Sequence, residues 1–339
     1  MNVNNLIKKE GKAKVVEIDE TRGFCKIEFK DSLTAFNGQE FQELEGKGSI
    51  NATISSLLFD FLNKQKIKTH FIKQLSTSCV EVEPLKMIPL EVIVRNYAAG
   101  SFSKRLSIKE GNPLKSSLVQ FHLKDDSLND PLLTENEIYE LGVVSQSSLK
   151  KIKNNALLIN WLLKGLFEQA DICLADIKLE FGFNKSNEII LADELSPDNM
   201  RLWDEFVEGQ EIKKLDKDRF REGLGSVYES YKKVLEKLTE SLANPFQTEK
   251  TPVKVNLYIT PQEGLLDPTG RTLTSATNQL GFSEVNAVSA GKVLSLELND
   301  LRVNLVEDLC ERILVSPASE SYEYELIQQE QIEKIQNKT

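Results

Sequence analysis

Histidine and cysteine are scarce in this chain of 339 residues, which holds only two histidines and four cysteines. His70 and His122 are far apart in sequence, which argues against a histidine-based nucleophilic triad and against a zinc cluster. The cysteines show neither CxxC spacing nor a disulfide framework, so we expect ordinary buried or half-buried thiols. Any chemistry must therefore rest on carboxylates, lysines and arginines.

Long apolar runs and an excess of positive charge are also missing. No apolar stretch approaches the roughly 20 residues of a membrane-spanning helix, and the first residues, MNVNNLIKKEGKAK, lack the apolar core of a secretion signal. The net charge of −10 argues against nucleic-acid binding, which usually needs a basic face. We expect a cytoplasmic protein that binds neither nucleic acid nor membrane. Its length suits one large domain and a smaller one.

Two neighbouring strand-like runs, LADIKLEFGF and EIILADELS, carry acidic side chains among apolar ones. In the first run Asp176, Lys178 and Glu180 share one face of the strand, because side chains alternate with a period of two. With a four-residue hairpin loop, residues 185–188, Glu180 faces Asp193 across the ladder with Cβ atoms about 5 Å apart. Paired carboxylates without nearby histidine or cysteine favour Mg²⁺. An exposed acidic hairpin balanced by Lys178 is the alternative.

Two arginines are candidates for binding a phosphate group. Asp198 and Arg201 follow the second acidic run in a turn-forming segment, and an arginine there can hold a phosphate bidentately. Arg95 ends a buried strand and leads into the small-residue turn Ala98–Ser101, which suits a phosphate monoester. A tight turn beside a surface arginine explains the second pattern nearly as well.

Lysines in two other places indicate polyphosphate binding. Lys12 and Lys14 are two residues apart beside a glycine, as in a β-hairpin that covers a nucleotide, although a solvated lysine pair is the simpler interpretation. Lys124 is followed by several aspartates, among them Asp130, and an ordinary acidic loop is the alternative there.

The hydrophobic pattern predicts a mixed first domain, residues 1–243. The predicted elements are strands over VVEID and FCKIEF, a turn at Phe36–Gly38, a helix capped at Ser49, two strands around Pro84 and Pro89, and helices over Leu149–Ala170 and Asp216–Leu242, the last capped by Asp216. We interpret both apolar helix stripes as core rather than as binding surfaces.

A polar linker over residues 244–252 separates this domain from a second one, residues 253–330. The second domain is predicted to have the order βαββαβ, a two-layer sandwich of the split βαβ kind. Its predicted strands cover residues 253–259, 284–288, 294–298 and 322–326, and its helices begin at Asp267 and Leu305. It holds no cluster of catalytic residue types, which favours a structural or association module.

Six motifs of the first domain together resemble phosphoribosylaminoimidazole-succinocarboxamide synthase (SAICAR synthetase) in order and spacing. They are Glu10–Lys14, Thr34–Gly38, Val94–Asn96 with Ala99–Ser101, Lys124–Pro131, Asp176–Gly182, and Asp193–Glu194 with Ser196–Asp198, Arg201 and Trp203–Asp204. The resemblance implies an α+β, ATP-grasp-like, two-lobed fold. It also implies ATP and Mg²⁺, and a ligase that joins carboxyaminoimidazole ribonucleotide (CAIR) to L-aspartate.

The same resemblance implies roles for individual residues. It assigns Lys12, Lys14 and Lys124 to ATP, Glu180, Asp193 and Asp130 to the metal ion, Arg95, Ser101 and Arg201 to the ribonucleotide, and Asp176, Lys178 and Asp198 to the reacting centre.

The second domain resembles PurS, the small subunit of phosphoribosylformylglycinamidine synthase, at Gly264–Gly270, Gly291–Lys292 and Glu323–Glu325. This resemblance implies a non-catalytic domain that docks the large synthetase and glutaminase subunits through residues 253–330. We also expect a homo-oligomer. Two alternatives stay open: an ATP-dependent kinase or ligase for a different phosphorylated carboxylate, and a non-catalytic assembly protein.

Overall fold

The computed structural model describes residues 6–19, 23–35, 40–246, 253–262, 264–298 and 305–328. The chain divides into two compact units, with the division between residues 249 and 250 and the second unit ending at residue 330. Most of the predicted linker, residues 247–252, and the predicted turn at Phe36–Gly38 lie outside the described residues.

The first unit is built from fourteen described strands and six α-helices. Its strands are β1 (Leu6–Glu10), β2 (Lys14–Asp19), β3 (Phe24–Phe29), β4 (Ser32–Ala35), β5 (Glu40–Glu43), β6 (Phe71–Gln74), β7 (Cys79–Val82), β8 (Lys86–Met87), β9 (Leu90–Tyr97), β10 (Pro113–Leu123), β11 (Leu132–Leu133), β12 (Ile172–Phe183), β13 (Ile189–Ala192) and β14 (Met200–Asp204). Its helices are α1 (Lys47–Lys64), α2 (Gly100–Leu106), α3 (Glu135–Glu140), α4 (Gln146–Gln169), α5 (Asp218–Arg221) and α6 (Val227–Leu242).

The smaller of the two main sheets of this unit is antiparallel and has the strand order β1-β2-β3-β7-β6, and β4 and β5 form a separate two-stranded sheet. Side chains alternate along β3, so Cys25, Ile27 and Phe29 are buried. Helix α1 packs against β3, β6 and β7 and covers this sheet. Within the described residues, no helix of the chain is long and apolar enough to cross a membrane.

The larger sheet has the order β11-β10-β9-β12-β13, with β8 and β14 also paired to the long strand β12. Helix α4 packs on β9, β10 and β12. It buries Ile152, Ala156, Ile159 and Leu163, as the apolar spacing predicts. Its first turn is capped by Ser145, whose hydroxyl accepts the Ser148 N–H.

Helix α1 does not begin with the predicted cap at Ser49. It begins at Lys47 after Gly46, whose φ is +82°. The carboxylate of Asp31 accepts the N–H groups of Gly46 (3.0 Å) and Gly48 (2.8 Å). The cap therefore comes from a residue fifteen positions away, and the local sequence pattern does not show it.

The single helix predicted over Asp216–Leu242 is also wrong, because two helices, α5 and α6, occupy this stretch. Gly223 and Gly225 separate them, each with a φ of +65° that a right-handed helix does not allow. Leu224, between these glycines, is 48% exposed and therefore lies outside the predicted core stripe. Within α6 the stripe is confirmed by buried Tyr231 and Leu238.

The second unit has an antiparallel sheet of order β16-β15-β17. Its elements are β15 (Val253–Pro261), α7 (Pro268–Gln279), β16 (Lys292–Leu298), α8 (Leu305–Leu309), which continues as a π-helical turn over Cys310–Leu314, and β17 (Glu320–Gln328). The central strand buries Val253, Val255, Leu257 and Ile259. The Asp267 side chain caps α7 by accepting the Gly270 N–H, as predicted.

One predicted strand of the second unit, Glu284–Val288, is not formed in the structure. The Val288 N–H donates to the Thr274 hydroxyl (2.8 Å), and the Ala290 N–H donates to the Asp267 carboxylate (2.8 Å). Because α7 and its cap take up these backbone groups, the segment lies against the helix instead of pairing in the sheet.

Candidate active site

Side chains from the two main sheets of the first unit meet around Lys178 of β12. The Lys178 ammonium group lies 2.6 Å from Glu180 and 3.5 Å from Asp193. Lys14, from β2 of the smaller sheet, contacts the Asp193 carboxylate, and Lys124 contacts Glu180. Three of the predicted lysines and two predicted metal ligands therefore form one ionic network.

The register of the β12–β13 hairpin differs from the prediction by one residue. Glu180 pairs with Ala192, and Asp193 follows the strand with a φ of +64°. The turn holds three residues rather than four, because the Asn184 N–H donates to the Glu188 carbonyl (3.0 Å) and Asn187 takes the left-handed conformation, φ +60°. The two carboxylates are not direct cross-strand partners, yet both reach Lys178.

Electrostatic interactions keep Lys14, Lys178 and Asp193 of this network charged. Burial alone would lower the pKa of Lys14 and Lys178, but the neighbouring carboxylates, Asp193 foremost, raise both above the usual range. Burial would likewise raise the pKa of Asp193, but Lys14, Lys178 and Lys124 hold it well below its usual range. Lys14, Lys178 and Asp193 are therefore all ionised at neutral pH.

A second cluster joins the three predicted ribonucleotide-binding residues. Arg95 of β9 contacts Asp176, and its Nη2 lies 3.4 Å from the Ser101 hydroxyl. Arg201 of β14 lies 2.9 Å from the same Asp176 carboxylate. Gly100 has a φ of +54°, and a Cβ there would lie 2.3 Å from the Arg201 guanidinium. The glycine thus lets both arginines lie beside the start of α2.

Arg201 is also held from the segment after β14. Its Nε donates to Asp218 at 2.7 Å, and Arg221 contacts the same carboxylate. Asp216 is fully buried and accepts the N–H groups of Leu202 and Asp218. Burial and the adjacent Asp218 charge raise the pKa of Asp216 to about 7. The residue predicted as a helix cap is therefore a buried acid beneath the arginine cluster.

A third cluster surrounds Asp198, the remaining residue predicted at the reacting centre. Its carboxylate lies 2.6 Å from the Lys47 ammonium and accepts from Asn51 (2.9 Å) and Tyr231 (2.7 Å). Burial alone would raise the pKa of Asp198, but Lys47, Lys217 and the Tyr231 hydroxyl lower it to about 2. Asp198 is therefore an anion throughout the neutral pH range.

Sequence reasoning missed Lys47, Asn51 and Lys217. Lys47 is 1% exposed although it stands between two glycines at a helix start. A buried lysine needs a partner, but the sequence shows only a turn signal there. The period of α1, which places Lys47 and Asn51 four residues apart on one face, is the signal that could have joined them.

Two predicted residues lie apart from these clusters. Lys12 is exposed and pairs with Asp126 at 2.8 Å. The Asp130 carboxylate accepts the Asp125 N–H (2.9 Å) and so organises its own loop. In the part of the chain that the structure describes, no three His, Cys, Asp or Glu side chains are grouped to hold a metal ion, and the metal role of Asp130 stays a prediction.

Comparisons with known proteins show the family to which the first unit belongs. The family described as SAICAR synthetase matches residues 7–238. Phosphoribosylaminoimidazole-succinocarboxamide synthase of Wolbachia pipientis from Culex pipiens is 46% identical over 244 residues, which cover 71% of this chain and all of the relative.

Solved structures extend the agreement to the fold. The same enzyme from Ehrlichia chaffeensis is 42% identical, with a TM-score of 0.65, covering 70% of this chain and 98% of the other. A SAICAR synthetase in complex with ADP has the same identity and TM-score and covers 69% and 98%. Residues 254–328 match the family described as PurS, phosphoribosylformylglycinamidine (FGAM) synthase. The predicted fold class is confirmed, and the chain belongs to the SAICAR synthetase family, with a PurS-like unit after the SAICAR synthetase domain.

Proposed function

We propose that the chain uses ATP to join CAIR to L-aspartate, giving SAICAR, ADP and phosphate, and that it does so in the cytoplasm. The observation that carries the proposal is the convergence of lysines from both sheets on Glu180 and Asp193. A carboxylate is a poor electrophile and must be phosphorylated before an amine attacks it. Phosphoryl transfer depends on positioning and on neutralising charge, which such a network supplies.

The ATP phosphates are assigned to Lys12, Lys14 and Lys124. Each of these ammonium groups contacts a carboxylate, those of Asp126, Asp193 and Glu180 respectively. Phosphate oxygens can take over such contacts, because they accept charge-assisted hydrogen bonds from lysine. A SAICAR synthetase was solved in complex with ADP, and this supports nucleotide binding by the present chain.

Glu180 and Asp193 fit Mg²⁺ by the chemistry of their donors, since both supply the hard oxygen ligands that this ion prefers. Mg²⁺ is commonly bound through one or two carboxylates, and phosphate oxygens and water fill its remaining positions. Two protein ligands are therefore sufficient, and a role for Asp130 at the metal stays a prediction. The bound ion would neutralise charge on the transferring phosphate.

The ribonucleotide 5′-phosphate is assigned to Arg95, Arg201 and Ser101. Arg95 and Arg201 both donate to the Asp176 carboxylate, and their remaining N–H groups are assigned to the phosphate oxygens. Ser101 adds a hydroxyl donor. Asp176 holds the two arginines side by side against their mutual repulsion. Its role is therefore to assemble the phosphate pocket at the edge of the reacting centre.

L-Aspartate is assigned to the Asp198 cluster. With a pKa of about 2, Asp198 is a weak base but a permanent anion, so it suits binding of the substrate ammonium group. Lys47 and Lys217 place positive charge beside it for a substrate carboxylate. Lys178 lies within reach of Glu180 and Asp193 and is the cation assigned to the reacting carboxylate of CAIR.

The reaction balances in two steps. The CAIR carboxylate oxygen takes the terminal phosphoryl group of ATP, and the bond to the ADP oxygen breaks. The aspartate amine then attacks the activated carbonyl carbon, a C–N bond forms, and inorganic phosphate leaves with the C–O bond electrons. Because L-aspartate binds as an ammonium ion, its nitrogen loses one proton before the attack and a second one after the C–N bond forms, so two protons are released to solvent.

ADP release by the purified chain with ATP, Mg²⁺ and CAIR, with and without L-aspartate, tests the proposal. We expect aspartate-dependent turnover with SAICAR formation, and a loss of at least 100-fold in Glu180→Ala and Asp193→Asn. Glu188→Gln is the matched control, because Glu188 is an exposed acid on the same hairpin that pairs with Lys68. Turnover without aspartate, or on a different phosphorylated carboxylate, would overturn the assignment.

The second unit is proposed to dock the large synthetase and glutaminase subunits of FGAM synthase. The PurS match indicates association with components of that enzyme. Large apolar side chains around α7 are exposed, namely Leu266 (62%), Leu273 (45%), Leu280 (75%) and Phe282 (57%), and such patches mark interaction surfaces. Pull-down of the two subunits by the full chain tests this, with Leu280→Glu/Phe282→Glu expected to abolish it. We also propose a homo-oligomer, for which light scattering is the test.

A further inference from the structure

Glu91 is an acidic residue of β9 that the assignments above leave unused. Its carboxylate lies 3.1 Å from the Lys178 ammonium, and the group is 18% exposed. In the β9–β12 ladder Val92 pairs with Leu179, so Glu91 is the next position toward Glu180. Among the described residues, Lys178 is the side chain that pairs with it.

Lys178 therefore has three carboxylates around one ammonium group, those of Glu180 (2.6 Å), Glu91 (3.1 Å) and Asp193 (3.5 Å). Two of them are the carboxylates assigned above to the metal ion. A divalent cation on those oxygens repels the ammonium and competes for the same lone pairs. Lys178 then needs another anion in a half-buried site, or it must leave the site for solvent.

We propose that Glu91 is the positioning residue of Lys178: it receives the ammonium group when Glu180 and Asp193 turn to the metal ion, and it keeps Lys178 beside the reacting carboxylate. This inference rests on the proposed function, because it takes Glu180 and Asp193 as metal ligands. In this proposal Glu91 acts through Lys178 and not through a contact of its own with substrate or metal ion. The proposal also explains why Glu91 lies near Glu180, since these two negative charges would destabilise the sheet without Lys178 between them.

Mn²⁺ binding to the full chain in the presence of saturating ADP, followed by electron paramagnetic resonance of the free ion, tests this without turnover. In Glu91→Gln, Lys178 has no carboxylate to pair with other than the two assigned metal ligands, so it stays on Glu180 and Asp193. We therefore expect Mn²⁺ to bind about tenfold more weakly. Lys178→Gln removes the competing cation and is expected to bind Mn²⁺ more tightly than the wild type.

The double variant Glu91→Gln/Lys178→Gln separates positioning from a direct charge effect. If Glu91 acts through Lys178, adding Glu91→Gln to Lys178→Gln changes Mn²⁺ affinity less than twofold. An equal weakening in both backgrounds, or no effect of Glu91→Gln on the wild type, overturns the proposal. Glu188→Gln, in the connection between β12 and β13, is the control for an acid-to-amide change outside the site. If Glu91→Gln does not fold, Glu91→Asp, which shortens the reach to Lys178, replaces it in the same cycle.

Aspartate-dependent ADP release by the wild type is measured separately. If that activity is absent while the Mn²⁺ cycle gives the expected coupling, the ligase proposal fails and the positioning role stands. If activity is present and the coupling is absent, the positioning role alone fails.

Discussion

The backbone conformation at position 100 and the packing of Arg201 against it both require a glycine there. Its φ of +54° is unfavourable for any residue with a Cβ, and such a Cβ would lie 2.3 Å from the Arg201 guanidinium. The arginine cannot move aside cheaply, because Asp176 and Asp218 both hold it. An added methyl group therefore has to displace the whole arginine cluster.

Gly100→Ala is predicted to raise the KM for CAIR at least tenfold and to leave the KM for ATP within about twofold. The strained backbone costs about 1–2 kcal/mol of stability besides. Gly142→Ala is the matched control, since Gly142 has a φ of +65° and nothing within 4 Å of the added Cβ. Steady-state kinetics and thermal melting of both variants measure the two effects. Equal changes in KM for both variants would show that strain alone, and not the contact with Arg201, is responsible.

The buried acid Asp216 gives stability a pH dependence. Its pKa is about 7 in the folded chain, raised first by burial and then by Asp218, whereas a free aspartate has a pKa near 4. The folded state thus keeps a proton that the unfolded state releases between about pH 4 and pH 7. The free energy of unfolding therefore falls as pH rises through this window.

Asp216→Asn is predicted to flatten this dependence. From the shift in pKa, we expect the contribution of Asp216 to change by roughly 2 kcal/mol between pH 5 and pH 7. Urea unfolding of the wild type and the variant at both pH values measures the difference. Asp60→Asn is the control, because Asp60 is an exposed acid on α1. The same slope in wild type and Asp216→Asn would assign the pH dependence to other groups.

At the scale of elements, local periodicity predicted the strands and helices that have a clear apolar pattern, but it missed β1, β4, β5, β6, β10, β11, β14, α2 and α3. The alternation along β12 placed Asp176, Lys178 and Glu180 on one face, and the apolar spacing found α4 within three residues of its start. The register of β13 was missed by one residue, because it depends on how Asn184 and Asn187 close the turn. Apolar alternation alone is compatible with a three- or four-residue loop.

Contacts between distant residues account for three other errors. The cap of α1 comes from Asp31, and the stretch predicted as a strand at Glu284–Val288 is held by Thr274 and Asp267. Lys47 was missed for the same reason, since its partner Asp198 is distant in sequence. Periodicity reports which face a residue occupies, but not which distant side chain lies opposite that face.

Asp31→Ala is predicted to loosen the start of α1 and, through it, the Asp198 cluster. Loss of a capping side chain costs about 1 kcal/mol of stability. Because α1 carries Lys47 and Asn51, we expect the KM for L-aspartate to rise more than the KM for ATP. Kinetics with each substrate varied in turn, together with thermal melting, check this. Asp60→Ala on the same helix is the control, and a rise in both KM values alike would contradict a specific effect through α1.

At the scale of the whole molecule, the two units differ in how completely each one buries its apolar side chains. In the first unit α1 and α4 cover the two main sheets and α6 packs on both helices, with the assigned catalytic residues inside the unit. In the second unit α7 buries only Gly270 among its residues, and Leu280 beyond its end is 75% exposed. This contrast agrees with chemistry in the first unit and association in the second.

The first unit is therefore predicted to be active alone, since a relative of this family aligns over its entire length with 71% of this chain. Where the shortened chain ends matters, because Phe246 packs edge-on against Phe61 with ring centroids 4.8 Å apart and lies against Gly165. Residues 1–249 keep this contact, and residues 1–243 lose it.

We expect residues 1–249 to retain kcat within about twofold of the full chain. Residues 1–243 should lose about 1–3 kcal/mol of stability, the order of an aromatic contact and the apolar area buried with it. Phe246→Ala in the full chain separates the loss of this ring from the loss of the second unit, and should reproduce the stability loss alone. Kinetics and urea unfolding of the full chain, the two shortened chains and Phe246→Ala test these expectations. A large fall in kcat for residues 1–249, with stability intact, would mean that the PurS-like unit contributes to the ligase reaction itself.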